Sequence, residues 1–104
     1  MEFRIIKSPS KGTLDILFRR KGSASTISIE NYDAIGLIQG RLIDMVFAAD
    51  IAEKAAGVVV EDIKGQCPQN LIMIAIFGDT ASVEAAIHDI QYKFSEKKTG
   101  EILC

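Results

Sequence analysis

AIGLIQGRLIDMVFAADIAEKAAGVVVEDIKGQCPQNLIMIAIFGDTASVEAAI, residues 34–87, decides the fold. It opens on Ala34–Gln39, a short apolar run that reads as a buried strand ended by Gly40. Arg41–Ala56 follows, rich in alanine and free of glycine and proline, which predicts a mostly buried helix stopped by Gly57. Val58, Val59 and Val60 then begin a second strand, because β-branched side chains stiff at χ1 suit a pleated surface better than a helix. The loop KGQCPQN, Lys64–Asn70, interrupts it, and Leu71–Phe77 resumes as a third strand. Asp79 or Thr80 is the expected N-cap of a second helix. Val83, Ala86, Ile87, Ile90 and Phe94 recur along one face of that helix, which is expected to end near Lys97 and Lys98.

Working outward, the order β-α-β-β-α with a hairpin between its last two strands predicts an α+β, split βαβ or ferredoxin-like layer that still needs a fourth strand. The C-terminal EILC is short, so the N-terminal side is favoured, with Thr13–Phe18 (TLDILF) as the expected strand. Phe3–Ile6 and Thr26–Ile29 are further strand candidates, and Pro9, Ser10 and Gly12 mark a turn. The expected organisation is one domain over residues 1–104, with N-terminal strands in 1–33 and the core in 34–95.

Composition narrows the function. Apolar residues make up 48% and charged residues 25%, enough apolar mass for a core. Twelve basic residues face 14 acidic ones, which argues against a nucleic-acid partner; Arg19, Arg20 and Lys21 read as a solvated strand end. No apolar run approaches the roughly 18 residues of a membrane span, and the N-terminus lacks a secretory pattern, so a cytoplasmic protein is expected. In that compartment a structural disulfide between Cys67 and Cys104 is not expected, which turns attention to thiol chemistry or metal ligation.

The order and spacing of AIGLI, the Ala-rich helix with AAD and EKAA, the hairpin, and GD followed by VEAAI resemble the core of the bacterial microcompartment (BMC) shell domain. The resemblance implies a structural subunit, not an enzyme: a homohexameric tile that packs with other shell tiles in a shell within the cytoplasm. It implies that the loop after the second strand (Lys64, Gly65, Gln66, Cys67, Pro68, Gln69) lines the central pore, and that Lys54 sits at the hexamer edge. Gly57 departs from the polar residue often found there. N-terminal strands ahead of AIGLI resemble the circularly permuted branch, in which the final strand of the ordinary domain is moved to the front.

The tract Gly65–Gln69, GQCPQ, resembles the pore motif of permuted shell proteins of glycyl-radical microcompartments, which implies an iron–sulfur cluster at Cys67. Clusters are normally held by four thiolates, and one chain supplies one in this loop, so symmetry must supply the rest. Gly65 allows a tight backbone path near an axis, and Pro68 restricts Cys67 towards extended geometry. Six equivalent cysteines do not match four ligands, so either some stay unbound or the cluster breaks symmetry. Two alternatives stand beside this reading. One is a tile with a metal-free metabolite-selective pore lined by Lys64, Gln66, Gln69 and Asn70; the other is a small ferredoxin-like regulatory domain that binds a ligand at a subunit interface. His88 is the sole histidine and reads as solvated, Cys104 as a free terminal thiol. Asp44, Asp50, Glu61 and Asp62 form no acid/base pair, and the glycines at 36 and 40 give no phosphate-binding pattern.

Overall fold

In a computed structural model the chain runs β1 (Glu2–Lys7), α1 (Lys11–Arg20), β2 (Ala34–Arg41), α2 (Leu42–Lys54), β3 (Val58–Ile63), β4 (Leu71–Gly78) and α3 (Thr80–Leu103). The structure describes residues 1–20, 32–55, 57–65 and 71–103, with side chains of the last helix described to Ser95. The four strands form one antiparallel sheet in the order β1-β2-β4-β3. β4 lies between β2 and β3, which therefore run parallel to each other and are joined through α2: the expected split βαβ unit.

Period-two alternation divides the central strands between two cores. On one face Ala34, Ile38, Ile74 and Ile76 pack against Met45, Ala48 and Ala52 of α2 and Val83, Ala86, Ile87 and Ile90 of α3. On the other, Ile35, Ala75 and Phe77, with Ile63 of β3, pack against Leu17 of α1. Tyr32 and Phe18 add tilted ring contacts to Phe77 at 5.2 and 5.8 Å. Because Ala34–Ile38 of β2 and most of β4 are covered on both faces, these stretches read as apolar runs. Each fully buried isoleucine among them contributes roughly 1.5–3 kcal/mol. Gly36 lets α3 come close: a Cβ there would stand 3.0 Å from Ile87 Cδ1 and 3.2 Å from Val83 Cγ1.

The fourth strand comes from the N-terminal side, but it is β1 and not Thr13–Phe18. β1 pairs with β2 from Glu2↔Gln39 to Lys7↔Ala34, so the candidate Phe3–Ile6 is the one that fills the edge. Thr13–Phe18 lies inside α1. The apolar residues that matter there are Leu14, Leu17 and Phe18, spaced i, i+3, i+4, and that helical face covers the second core. Ser10 caps the helix, its Oγ accepting from Thr13 N–H at 3.2 Å, where the sequence suggested a turn. Arg19 and Arg20 therefore end a helix and not a strand. The third strand candidate, Thr26–Ile29, lies outside the described residues.

The remaining boundaries differ little. β2 continues through Gly40 to Arg41, and α2 ends at Lys54. Gly57 then turns the chain with φ +85°, a conformation disfavoured for residues with a Cβ. Asp79 is the N-cap of α3: its Oδ1 accepts from Ser82 N–H at 2.7 Å and its Oδ2 from Ser82 Oγ–H at 3.1 Å. These bonds, the backbone one first, hold the Asp79 carboxyl below its ordinary pKa. α3 runs past Lys97 and Lys98 to Leu103.

Candidate functional site at the β3–β4 hairpin

The connection singled out by the sequence joins an edge strand to a central one. β3 and β4 remain paired as far as Ile63↔Met73, and Ile63 is anchored in the second core. Beyond it, the backbone N–H of Lys64 donates to the Arg20 carbonyl oxygen at 2.6 Å, which ties the stem of the loop to the last turn of α1. Lys64 and Gly65 are exposed. Among the described residues nothing lies within 4 Å of a Cβ built on Gly65. Gln66, Cys67, Pro68, Gln69 and Asn70 lie outside the described residues, as does Cys104.

Beside this stem are two adjoining clefts that sequence reasoning did not anticipate. One, of about 400 Å³, has an apolar floor of Ile16, Leu17, Ile63, Leu71 and Met73, with Arg20, Asp62 and Lys64 at its margin. The second, of about 270 Å³, is lined by Arg19, Arg20, Lys64 and Gly65. The only sequence signal for them was the basic run ending α1, misread as a strand end.

Lys54 is exposed on the last turn of α2 and pairs with Asp50 at 2.9 Å, an i,i+4 surface contact of little energetic weight. At the other end of α2, Leu42, Ile43 and Val46 present apolar side chains to solvent, Ile43 with 75% of its surface exposed. His88 is exposed on α3 beside Phe3, Ile5 and Glu84. Asp44 falls in the first turn of α2, and Glu61 and Asp62 on β3. Among the described residues no three His, Cys, Asp or Glu side chains gather as a metal site, and no helix is long and apolar enough to cross a membrane.

A split βαβ sheet covered on one face by α2 and α3, with apolar side chains of α2 turned to solvent, is the architecture of this domain. Residues 34–103 match the BMC domain family, and the chain belongs to it: it is a bacterial microcompartment shell protein, a structural subunit rather than an enzyme. Among solved structures it is similar to the ligand-free GrpU microcompartment shell protein from Clostridiales bacterium 1_7_47FAA, at 56% identity over 95% of this chain and 98% of that one, with a TM-score of 0.74. It is also similar to the ligand-free GrpU microcompartment shell protein from Pectobacterium wasabiae, at 39% identity over 86% of this chain and 99% of that one, with a TM-score of 0.70. No curated protein matches the chain.

Proposed function

We propose that this shell protein forms a homohexameric tile, that the 64–70 loops of its copies meet at a central pore, and that Cys67 thiolates from several copies hold an iron–sulfur cluster. The fixed stem of the loop supports its reading as a pore element, and the resemblance of Gly65–Gln69 supports the cluster at Cys67. Strand pairing to Ile63↔Met73 and the Lys64–Arg20 bond fix the base of the loop on its β3 side. A thiolate is the soft donor that iron–sulfur clusters take, and with one cysteine per loop the donor set fits only when copies combine. When bound, the group supplies one-electron chemistry, suited to electron transfer or cluster delivery across the shell. Of the chain's own residues, Lys64 brings a positive charge to the loop base, which favours anionic thiolates in the loop.

Two further features support the tile. The apolar Leu42, Ile43 and Val46 are side chains that association would remove from water, and Lys54, weakly held by Asp50, is available for contact with a neighbouring tile. We read β1 and α1 as the strand and following helix that the ordinary domain carries at its end, moved to the front; β1 on the free edge of β2 supports this permuted arrangement.

The test is iron and acid-labile sulfide in anaerobically purified protein. Wild type is expected to be brown, and Cys67→Ser colourless at unchanged assembly mass. Wild-type protein still iron-free after anaerobic reconstitution would remove the cluster and leave the metal-free metabolite pore as the reading of the tile.

A further inference from the structure

We propose that Arg19, Arg20 and Lys64 form a binding site for a small oxyanion, a phosphate or a carboxylate, at the foot of the β3–β4 loop. This inference does not rest on the cluster or on the hexamer, because the cleft is built within one chain.

The three cations come together through a specific contact. α1 delivers Arg19 and Arg20 in its last turn, and the Lys64 N–H bonded to the Arg20 carbonyl brings the Lys64 side chain to the same place. All three line one cleft of about 270 Å³, together with Gly65. Four other surface cations, Arg4, Lys7, Lys11 and Lys54, lie 2.9–3.9 Å from Glu2, Glu84, Asp15 and Asp50; Arg41 and Lys93 are exposed without such a carboxylate among the described residues, but neither lines this cleft. Among the described residues Arg19, Arg20 and Lys64 have no such carboxylate partner; Asp62, at the margin of the adjoining cleft, is the acidic group that faces them.

The negative end of the α1 dipole accounts for a basic residue in its last turn, but not for a third cation brought in from β3. The Arg20 carbonyl is already satisfied by an N–H. Like charges held in one cleft are relieved by an anion, and arginine presents a planar fork that matches a carboxylate or phosphate with two parallel bonds. The apolar floor of the adjoining 400 Å³ cleft, which shares Arg20, Lys64 and Gly65, has room for a short aliphatic part attached to the charged group.

The experiment is isothermal titration at low ionic strength with inorganic phosphate and, separately, with butyrate, whose carboxylate carries an aliphatic tail. Wild type is expected to bind at least one, which also tells whether the site takes phosphate or carboxylate. Arg20→Gln with Lys64→Gln is expected to weaken binding by roughly tenfold or more, the loss typical of removing charge-assisted bonds. Arg20→Lys, which keeps the charge and removes the fork, is expected to fall between them. Lys7→Gln with Lys11→Gln removes the same charge elsewhere and is expected to leave binding unchanged. Far-UV circular dichroism and solution mass establish that each variant is folded and assembled as wild type. The proposal is overturned if neither anion binds wild type, if the Arg20/Lys64 variant binds as wild type does, or if the Lys7/Lys11 variant loses as much.

Discussion

The backbone N–H of Lys64 donates to the carbonyl oxygen of Arg20 at 2.6 Å, joining the base of the 64–70 loop to the end of the N-terminal helix. Through this bond α1 does two things at once: it covers the second face of the sheet and it fixes where the loop begins. Replacing Lys64 by proline removes the donor, and a lost hydrogen bond of this kind costs about 0.5–1.5 kcal/mol. Lys64→Gln keeps the N–H and is expected to stay within about 0.5 kcal/mol of wild type, as surface changes do. Urea unfolding of the two variants separates the backbone effect from the side-chain one.

Docking of α1 depends on Leu17, which is 5% exposed and packed with Ile35, Ile63, Ala75 and Phe77. Leu17→Ala should cost roughly 2–5 kcal/mol in urea unfolding, as other buried leucine truncations do. Ile16→Ala, with half its side chain in solvent, should cost far less. Equal losses would mean that α1 does not pack through the face described.

How much of this was readable in advance divides at residue 34. The elements from β2 to α3 could be read because Ala34–Ile38 of β2 and Leu71–Phe77 of β4 are apolar runs, α2 contains no breaker, and Asp79 caps α3 where a cap was expected. Thr13–Phe18 misled because Leu14, Leu17 and Phe18 lie within a segment short enough to show both strand alternation and helical spacing. Ser10, whose capping bond separates the two readings, suits a turn equally well by residue type. The meeting of Arg20 with Lys64 had no local signal at all, since it is made by the sheet order and by which face α1 covers. The Cys67 reading rests on the resemblance of its loop, not on any contact within one chain.

Close packing at Gly36 gives a coupled prediction. Gly36→Ala places a methyl 3.0 Å from Ile87 Cδ1 and 3.2 Å from Ile87 Cγ1, and overpacking of this kind costs roughly 1–3 kcal/mol. In the Ile87→Val background the same substitution should cost less, because the δ-methyl that it meets is gone. A double-mutant cycle by chemical denaturation measures the coupling, and additive effects would contradict the contact.

Asp79 sets a pH dependence. Its carboxyl pKa in the folded protein lies below the ordinary 3.8, chiefly through the Ser82 backbone bond. A depressed folded value stabilises above the unfolded pKa, and the contribution is lost as pH falls through the folded one. Asp79→Ala should therefore lower Tm at neutral pH. The gap to wild type should narrow in thermal scans below about pH 3.8, where the unfolded aspartate itself begins to hold its proton.

Association through α2 is tested at Ile43, whose exposure means that a charged replacement leaves the monomer's core untouched. Ile43→Glu should keep the wild-type circular dichroism and lose assembly mass in analytical ultracentrifugation. Unchanged mass would place the subunit contact elsewhere.

The central claim, a tile whose copies share metal through Cys67, is met most directly by native mass spectrometry of anaerobically prepared protein. Six chains of 11.3 kDa, about 68 kDa in all, carrying the added mass of iron and sulfide that Cys67→Ser lacks, is the predicted result. A monomer or dimer would contradict the tile, and a hexamer without iron after reconstitution would contradict the cluster.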